Sequence, residues 1–333
     1  MTGLNSCKCV FIALFFLAAG CGVVKEPQKA GRVAIKYPEA DYLTATGTAG
    51  SEEGARNAAL TELSRIFESR IKSDTLDRVK YVSEGGNEKF KAEIESVLSV
   101  ATAVDLEGVR IGNEWYDETK KTHYAIATLE KAQARDKWQK DIGNVDAEVQ
   151  AELNSAESQE SPLFKLKSFN KARALWVKRE VLASRLRVIG SQAKASSYDM
   201  KKVLDSTAAI KGGMLIYVGI SGNGSIDAAD TISAALSGKG YGLSPTRSEA
   251  GAVVEGDAEI SSVDVSNPPW KYARASVSIS MKDAKSGLVA AEVKTEKRAG
   301  HLSYVEAGHK AMKEASLKAS ETLLEFFEQG PHP

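Results

Sequence analysis

Beyond residue 40 the apolar positions recur with two different periods, and the switches between them divide the chain. Residues 42–49, rich in Thr, read as a strand. Ser51 followed by Glu52 and Glu53 supplies an N-cap and an acidic first turn, both of which favour a helix start. Ala55, Ala59, Leu63, Ile66, Phe67 and Ile71 then follow at helical spacing, one stripe of a core-facing helix. The β-branched and aromatic residues of 75–83 predict a second strand, closed by Gly85-Gly86. Phe90, Ile94, Val97 and Leu98 predict a second helix. Val109, Ile111 and Trp115 alternate, as do Tyr124, Ile126 and Thr128, and the polar stretch 117–121 between them predicts a hairpin.

From residue 131 the alternation disappears. Trp138, Ile142, Val145, Val149 and Leu153 return at helical spacing. After a polar stretch at 154–161, Pro162 occupies a favourable first helical position. Phe169, Ala172, Trp176, Leu182, Leu186 and Ile189 continue the spacing, so two antiparallel helices of about 40 Å are expected. The second carries eight Lys and Arg residues, including Lys178 and Arg179. They predict a solvated basic face; the sharper alternative is a docking face for an acidic partner, lipid head groups or peptidoglycan-linked polymers. A last unit then follows: a short apolar strand at 214–218, a helix near 227–236, and alternating strands around Val254–Ile260, 273–281 and 288–296. Ser303 and Glu306 form a capping box for a terminal helix, with Val305, Met312, Ala315, Ala319, Leu323 and Phe326 directed at the sheet. The pattern predicts an α+β fold: two α/β layer-sandwich modules, 41–132 and 209–333, joined by a helical hairpin at 133–208. The second module is also similar in topology to small periplasmic units of TolB-type and flagellar assembly proteins.

The leader changes the picture. Behind Lys8, residues 10–19 are apolar without a break. Ten residues make a helix of about 15 Å, half of what a bilayer core requires, so the run reads as the apolar region of a signal peptide. It ends in Leu17-Ala18-Ala19-Gly20-Cys21, which resembles the lipobox of bacterial lipoproteins. The resemblance implies removal of residues 1–20, acylation of Cys21 and, with Gly22 rather than Asp next, sorting to the outer membrane. Residues 21–40 then form the lipidated cysteine and a polar tether. Cys7 and Cys9 would leave with the leader, so the mature chain keeps no thiol for a disulfide, catalysis or metal.

Among the 333 residues, 44 Lys+Arg balance 44 Asp+Glu, which removes the global attraction a nucleic-acid binder shows. Gly219-Ile-Ser-Gly222-Asn-Gly224-Ser225 follows a strand and opens a helix, where phosphate loops occur. Asp227 at that helix start opposes phosphate and is read as a cap. The three Ser-x-x-Lys matches lack the companion motifs of penicillin-binding enzymes. His123, His301, His309 and His332 lack metal-ligand spacing. No catalytic, cofactor or metal residue is therefore assigned. Trp270, beside the stiff Asn267-Pro268-Pro269, is the candidate aromatic contact for a partner; the alternative is a ring folded onto the sheet.

The Tyr42-Leu-Thr-Ala-Thr-Gly-Thr-Ala49 strand, the Ala55-Arg56-Asn57-Ala58-Ala59-Leu60 helix and the Trp115/Tyr124 hairpin together resemble the Lpp-twenty lipoprotein family over residues 40–135. Its members are outer-membrane lipoproteins related to flagellar outer-membrane assembly proteins. The resemblance implies a small α/β unit without a catalytic site and a structural or assembly role in the envelope. The partners expected are the membrane, through the lipid, and envelope proteins, with an oligomer open. A second reading is a lipoprotein that regulates peptidoglycan synthesis by binding a synthase or the polymer. A third, an envelope hydrolase, lacks a nucleophile–base constellation.

Overall fold

A computed structural model describes residues 36–82, 108–264 and 269–329. The expected second helix around Phe90–Leu98, residues 265–268 of the Trp270 loop, and Cys21 lie outside them. The fold is α+β with two sheets. In the first unit, β1 (Tyr42–Ala49) leads into α1 (Glu52–Val82), then β2 (Arg110–Asp117) and β3 (Thr122–Glu130). β3 lies between the other two strands and is antiparallel to both. The sequence-expected hairpin is thus present, and the chain is pinned to it from Tyr37, whose hydroxyl donates to the Gly112 carbonyl at 2.5 Å.

The expected strand at 75–83 does not form; α1 runs through Val82 instead. Its β-branched residues favour a strand locally, but Ile71 and Thr75 extend the buried stripe, and the Thr75 hydroxyl meets that of Ser184 at 2.8 Å. Tertiary packing overrides propensity here. Where α1 crosses β1 the contact is made of small residues. A Cβ added at Gly47 would overlap the backbone of Ala55 and Ala59.

α2 (Lys131–Ser158) and α3 (Pro162–Val188) fold back on each other as expected, with Pro162 at the start of α3 and Ser161 as its N-cap. α3 is not a solvated helix. Fifteen of its residues are buried, Arg179 and Glu180 among them. Leu163 and Leu166 belong to the core of the second sheet, while Phe169 through Leu186 belong to that of the first. The basic residues that predicted an open face are mostly engaged: Lys167 donates to the Ala290 carbonyl, Lys171 pairs with Glu152, and Arg187 with Asp74.

After α4 (Met200–Gly213) come β4 (Leu215–Ser221), α5 (Ser225–Gly238) and β5 (Gly242–Leu243). The chain ends in β6 (Ala252–Val263), β7 (Lys271–Asp283), β8 (Val289–His301) and α6 (Tyr304–Gln329). The sheet order is β5-β4-β6-β7-β8. β6, β7 and β8 are antiparallel, but β4 is parallel to both β5 and β6, because α5 carries the chain back across the sheet before it re-enters. The sheet is therefore mixed rather than wholly antiparallel. α6 covers one face. Ser303 accepts from the Glu306 amide at 3.2 Å, and Ala311, Met312, Ala315, Ala319 and Leu323 are buried. Val305 departs from expectation: in the first turn it faces solvent, at 67% exposure.

Candidate functional site

A cavity of about 680 Å³ lies between the second half of α1, α3 and the segment leading to α4. Its walls follow from local sequence. Gly190, at φ 77°, stops α3, with the Ser191 amide returning to the Leu186 carbonyl at 2.8 Å. Residues 191–196 then run without regular structure until Asp199 caps α4, accepting from the Lys201 amide at 3.0 Å. This segment is held on α3 by Arg179, whose guanidinium donates to the Lys194 carbonyl at 2.6 Å, to Asp146 at 2.7 Å and to Glu180 at 3.0 Å. The Tyr198 hydroxyl donates to the same Asp146 oxygen at 2.6 Å. Behind the lining residue Arg187, Asp74 accepts from Ser184 and from Arg187, each at 2.6 Å. Arg78 approaches the second Glu180 oxygen at 3.3 Å; that buried oxygen accepts no hydrogen bond. Trp176, Ala183 and Met200 complete the lining.

The electrostatics favour fixed charge over proton exchange. Burial works against the charge on Arg179, but Asp146 and Glu180 outweigh it and raise the guanidinium's pKa further. Burial and the Asp146 carboxylate push the Tyr198 hydroxyl upward, so it remains a donor. Burial also opposes ionisation of Asp74, yet the Ser184 and Arg187 hydrogen bonds prevail and hold it below the ordinary carboxylate range. These shifts all lead away from neutrality, whereas a general acid or base works best with a pKa near the working pH. The arrangement can bind a polar group, with Arg78 and Arg187 meeting an anion and Glu180 accepting a donor.

The residues singled out in the sequence are placed separately. Arg179 is 5% exposed and acts inside the groove wall, whereas Lys178 beside it faces solvent. Trp270 stands 47% exposed at the start of β7, outside both cores, so its ring is not folded into the second core. The glycine-rich loop is pressed against its neighbours: a Cβ at Gly222 would overlap the Ala258 carbonyl, and one at Gly224 would overlap Met312. Asn223 bonds both ways to the Ile260 backbone, and Asp227 pairs with His309 of α6. Close packing thus accounts for those glycines. Asp74, Asp146, Glu180 and Tyr198 were missed in the sequence. The one available signal was Lys178-Arg179-Glu180, three consecutive charges flanked by Trp176-Val177 and Val181-Leu182.

No protein-family model matches this sequence, and no curated protein is similar to it. Among solved structures, the chain is similar to the secreted protein HP1454 from Helicobacter pylori, at 11% identity and TM-score 0.37, over 84% of this chain and 97% of that one. It is also similar to a minor lipoprotein from Acinetobacter baumannii, at 10% identity and TM-score 0.30, over 36% of this chain and 98% of that one. Both superpositions are weak, and neither protein's name specifies a molecular task.

Proposed function

We propose that this chain is a lipid-anchored protein of the bacterial envelope, with a structural or assembly role instead of a catalytic one. The observation that carries the reading is the ten-residue apolar run ending in Leu17-Ala18-Ala19-Gly20-Cys21, with no cysteine after it. The leader is removed, the Cys21 sulfur takes lipid, and several acyl chains make the anchorage stable. Gly22 favours the outer membrane, with the body facing the periplasm. The folded body is attached to its first sheet from Tyr37, so residues 22–36 can span up to about 50 Å. The Lpp-twenty likeness of the first unit supports work in a flagellar, secretion-associated or other outer-membrane structure. A groove whose charges are fixed around neutrality suits binding a partner.

The test is distribution in cells. Wild-type protein is expected to float with outer-membrane vesicles, and Cys21→Ser to leave the membrane fraction. An unchanged distribution of the variant would overturn the reading.

A further inference from the structure

The two edges of the second sheet differ. One is β5, only 2 residues long; the other is β8, with 13. β8 pairs with β7 without a break from Lys271↔His301 to Met281↔Ala291. Its far side has no strand partner among the described residues. A long regular edge presents a row of backbone donors and acceptors, and is a template for another strand unless something blunts it. β8 contains no proline, and its one register shift sits at its beginning, beside Lys282.

The charges on this edge have a symmetry. On the face turned away from α6 the strand presents Glu292, Lys294, Glu296 and Arg298, all exposed. About Thr295 the sequence inverts in sign: Glu292 mirrors Arg298, and Lys294 mirrors Glu296. When two identical strands pair antiparallel about Thr295, each residue meets its mirror position on the same face of the sheet. Four opposite-charge pairs result, two of Glu292 with Arg298 and two of Lys294 with Glu296. Shifting the centre to Lys294 sets Lys294 against itself and Glu292 against Glu296. Shifting it to Glu296 sets Glu296 against itself and Lys294 against Arg298. Opposite charges directly across strands stabilise a sheet, and like charges weaken it, so the pattern selects one register.

Within the chain these side chains are already carried on the open face. Arg274 pairs with Glu296 at 3.0 Å, both 53% exposed, and the Arg298 guanidinium lies 4.6 Å from the Tyr272 ring centroid. On the other face, the Thr295 hydroxyl donates to the Ala315 carbonyl of α6 at 2.9 Å, which ties the middle of β8 to its own helix.

We infer that β8 is a homodimer interface: two copies of this chain pair their β8 edges antiparallel about Thr295, joining their sheets into one of ten strands. The contact is isologous, as a two-fold axis requires. It is long, about 30 Å for the nine mirrored residues 291–299, but thin, so the dimer is weak and sensitive to salt.

The test is a charge swap on exposed positions, read by sedimentation equilibrium of the purified full-length chain in density-matched detergent. Wild type is expected to show a monomer–dimer equilibrium that weakens as salt rises. Lys294→Glu, which by symmetry spoils two pairs, is expected to weaken dimerisation by about tenfold. Adding Glu296→Lys to that variant restores opposite charges across the seam and is expected to recover dimerisation close to wild type. Circular dichroism confirms that each variant stays folded. A wild type that remains monomeric would overturn the inference. So would a dimer indifferent to Lys294→Glu, or a double variant no tighter than the single one.

Discussion

Charge in this protein matters according to how far it is withdrawn from water. Arg179 is the most buried cation of the groove wall, and its removal leaves Asp146 with the Tyr198 hydroxyl and Glu180 with the more distant, exposed Arg78. Breaking a buried ion pair by deleting one partner costs about 3–5 kcal/mol. Arg179→Met is therefore expected to lower the urea midpoint by that equivalent. The exposed Arg56–Glu114 pair sets the opposite case: Arg56→Ala should leave the midpoint almost unmoved in the same assay. His309 adds a pH dependence. Its hydrogen bond and attraction to Asp227 raise its pKa above the ordinary 6.5. The contact should stabilise the fold fully below that ordinary value and fade as pH rises through the raised one. Thermal unfolding across neutrality should show wild type above His309→Gln on the acid side, with the two converging on the alkaline side. A gap that stays constant with pH would remove the ion pair from the account. Asp74 acts in the other direction: its lowered pKa supports the fold above the ordinary 3.8 and loses that support as acid protonates it.

At the scale of elements, α3 is the structural spine, because one helix contributes to both cores. Leu166 is fully buried in the second core and Leu186 in the first. Leu166→Ala is expected to cost about 2–5 kcal/mol. If α3 transmits that loss, the variant also lowers the midpoint reported by Trp138 and Trp176, which sit in the other core. Tryptophan fluorescence would refute the coupling by showing an unmoved transition. The close crossing of α1 over β1 gives a second case: Gly47→Val should cost about 1–3 kcal/mol or more by overpacking, measured in the same denaturant titration. Much of this architecture was legible beforehand, because periodicity reports which face of an element is buried. The β2–β3 hairpin, the α2–α3 pair and the capped α6 all follow from it. Periodicity does not report who the partner is. Residues 75–83 read as a strand because Val79, Tyr81 and Val82 favour one locally, while the packing of Thr75 on Ser184 joins positions 109 residues apart. The basic residues of α3 read as solvated for the same reason. Their partners Asp74, Asp146 and Glu152 lie on other helices, so those pairings were invisible in one dimension.

For the whole molecule the sequence and the fold bear on different questions. On the proposed reading the leader and Cys21 decide where the body is held, while the groove and the β8 edge bear on what it can hold. An anchored body meets its partners at a raised local concentration, so weak contacts such as a strand-edge seam or a polar groove become effective. That advantage depends on one modification. The most direct test is the intact mass of the protein purified from membranes, with fragmentation of its N-terminal peptide. The account predicts that residues 1–20 are missing and that the chain begins at Cys21 carrying a thioether-linked diacylglyceryl group. A chain that retains its leader, or one that begins elsewhere with a free Cys21 thiol, would contradict it.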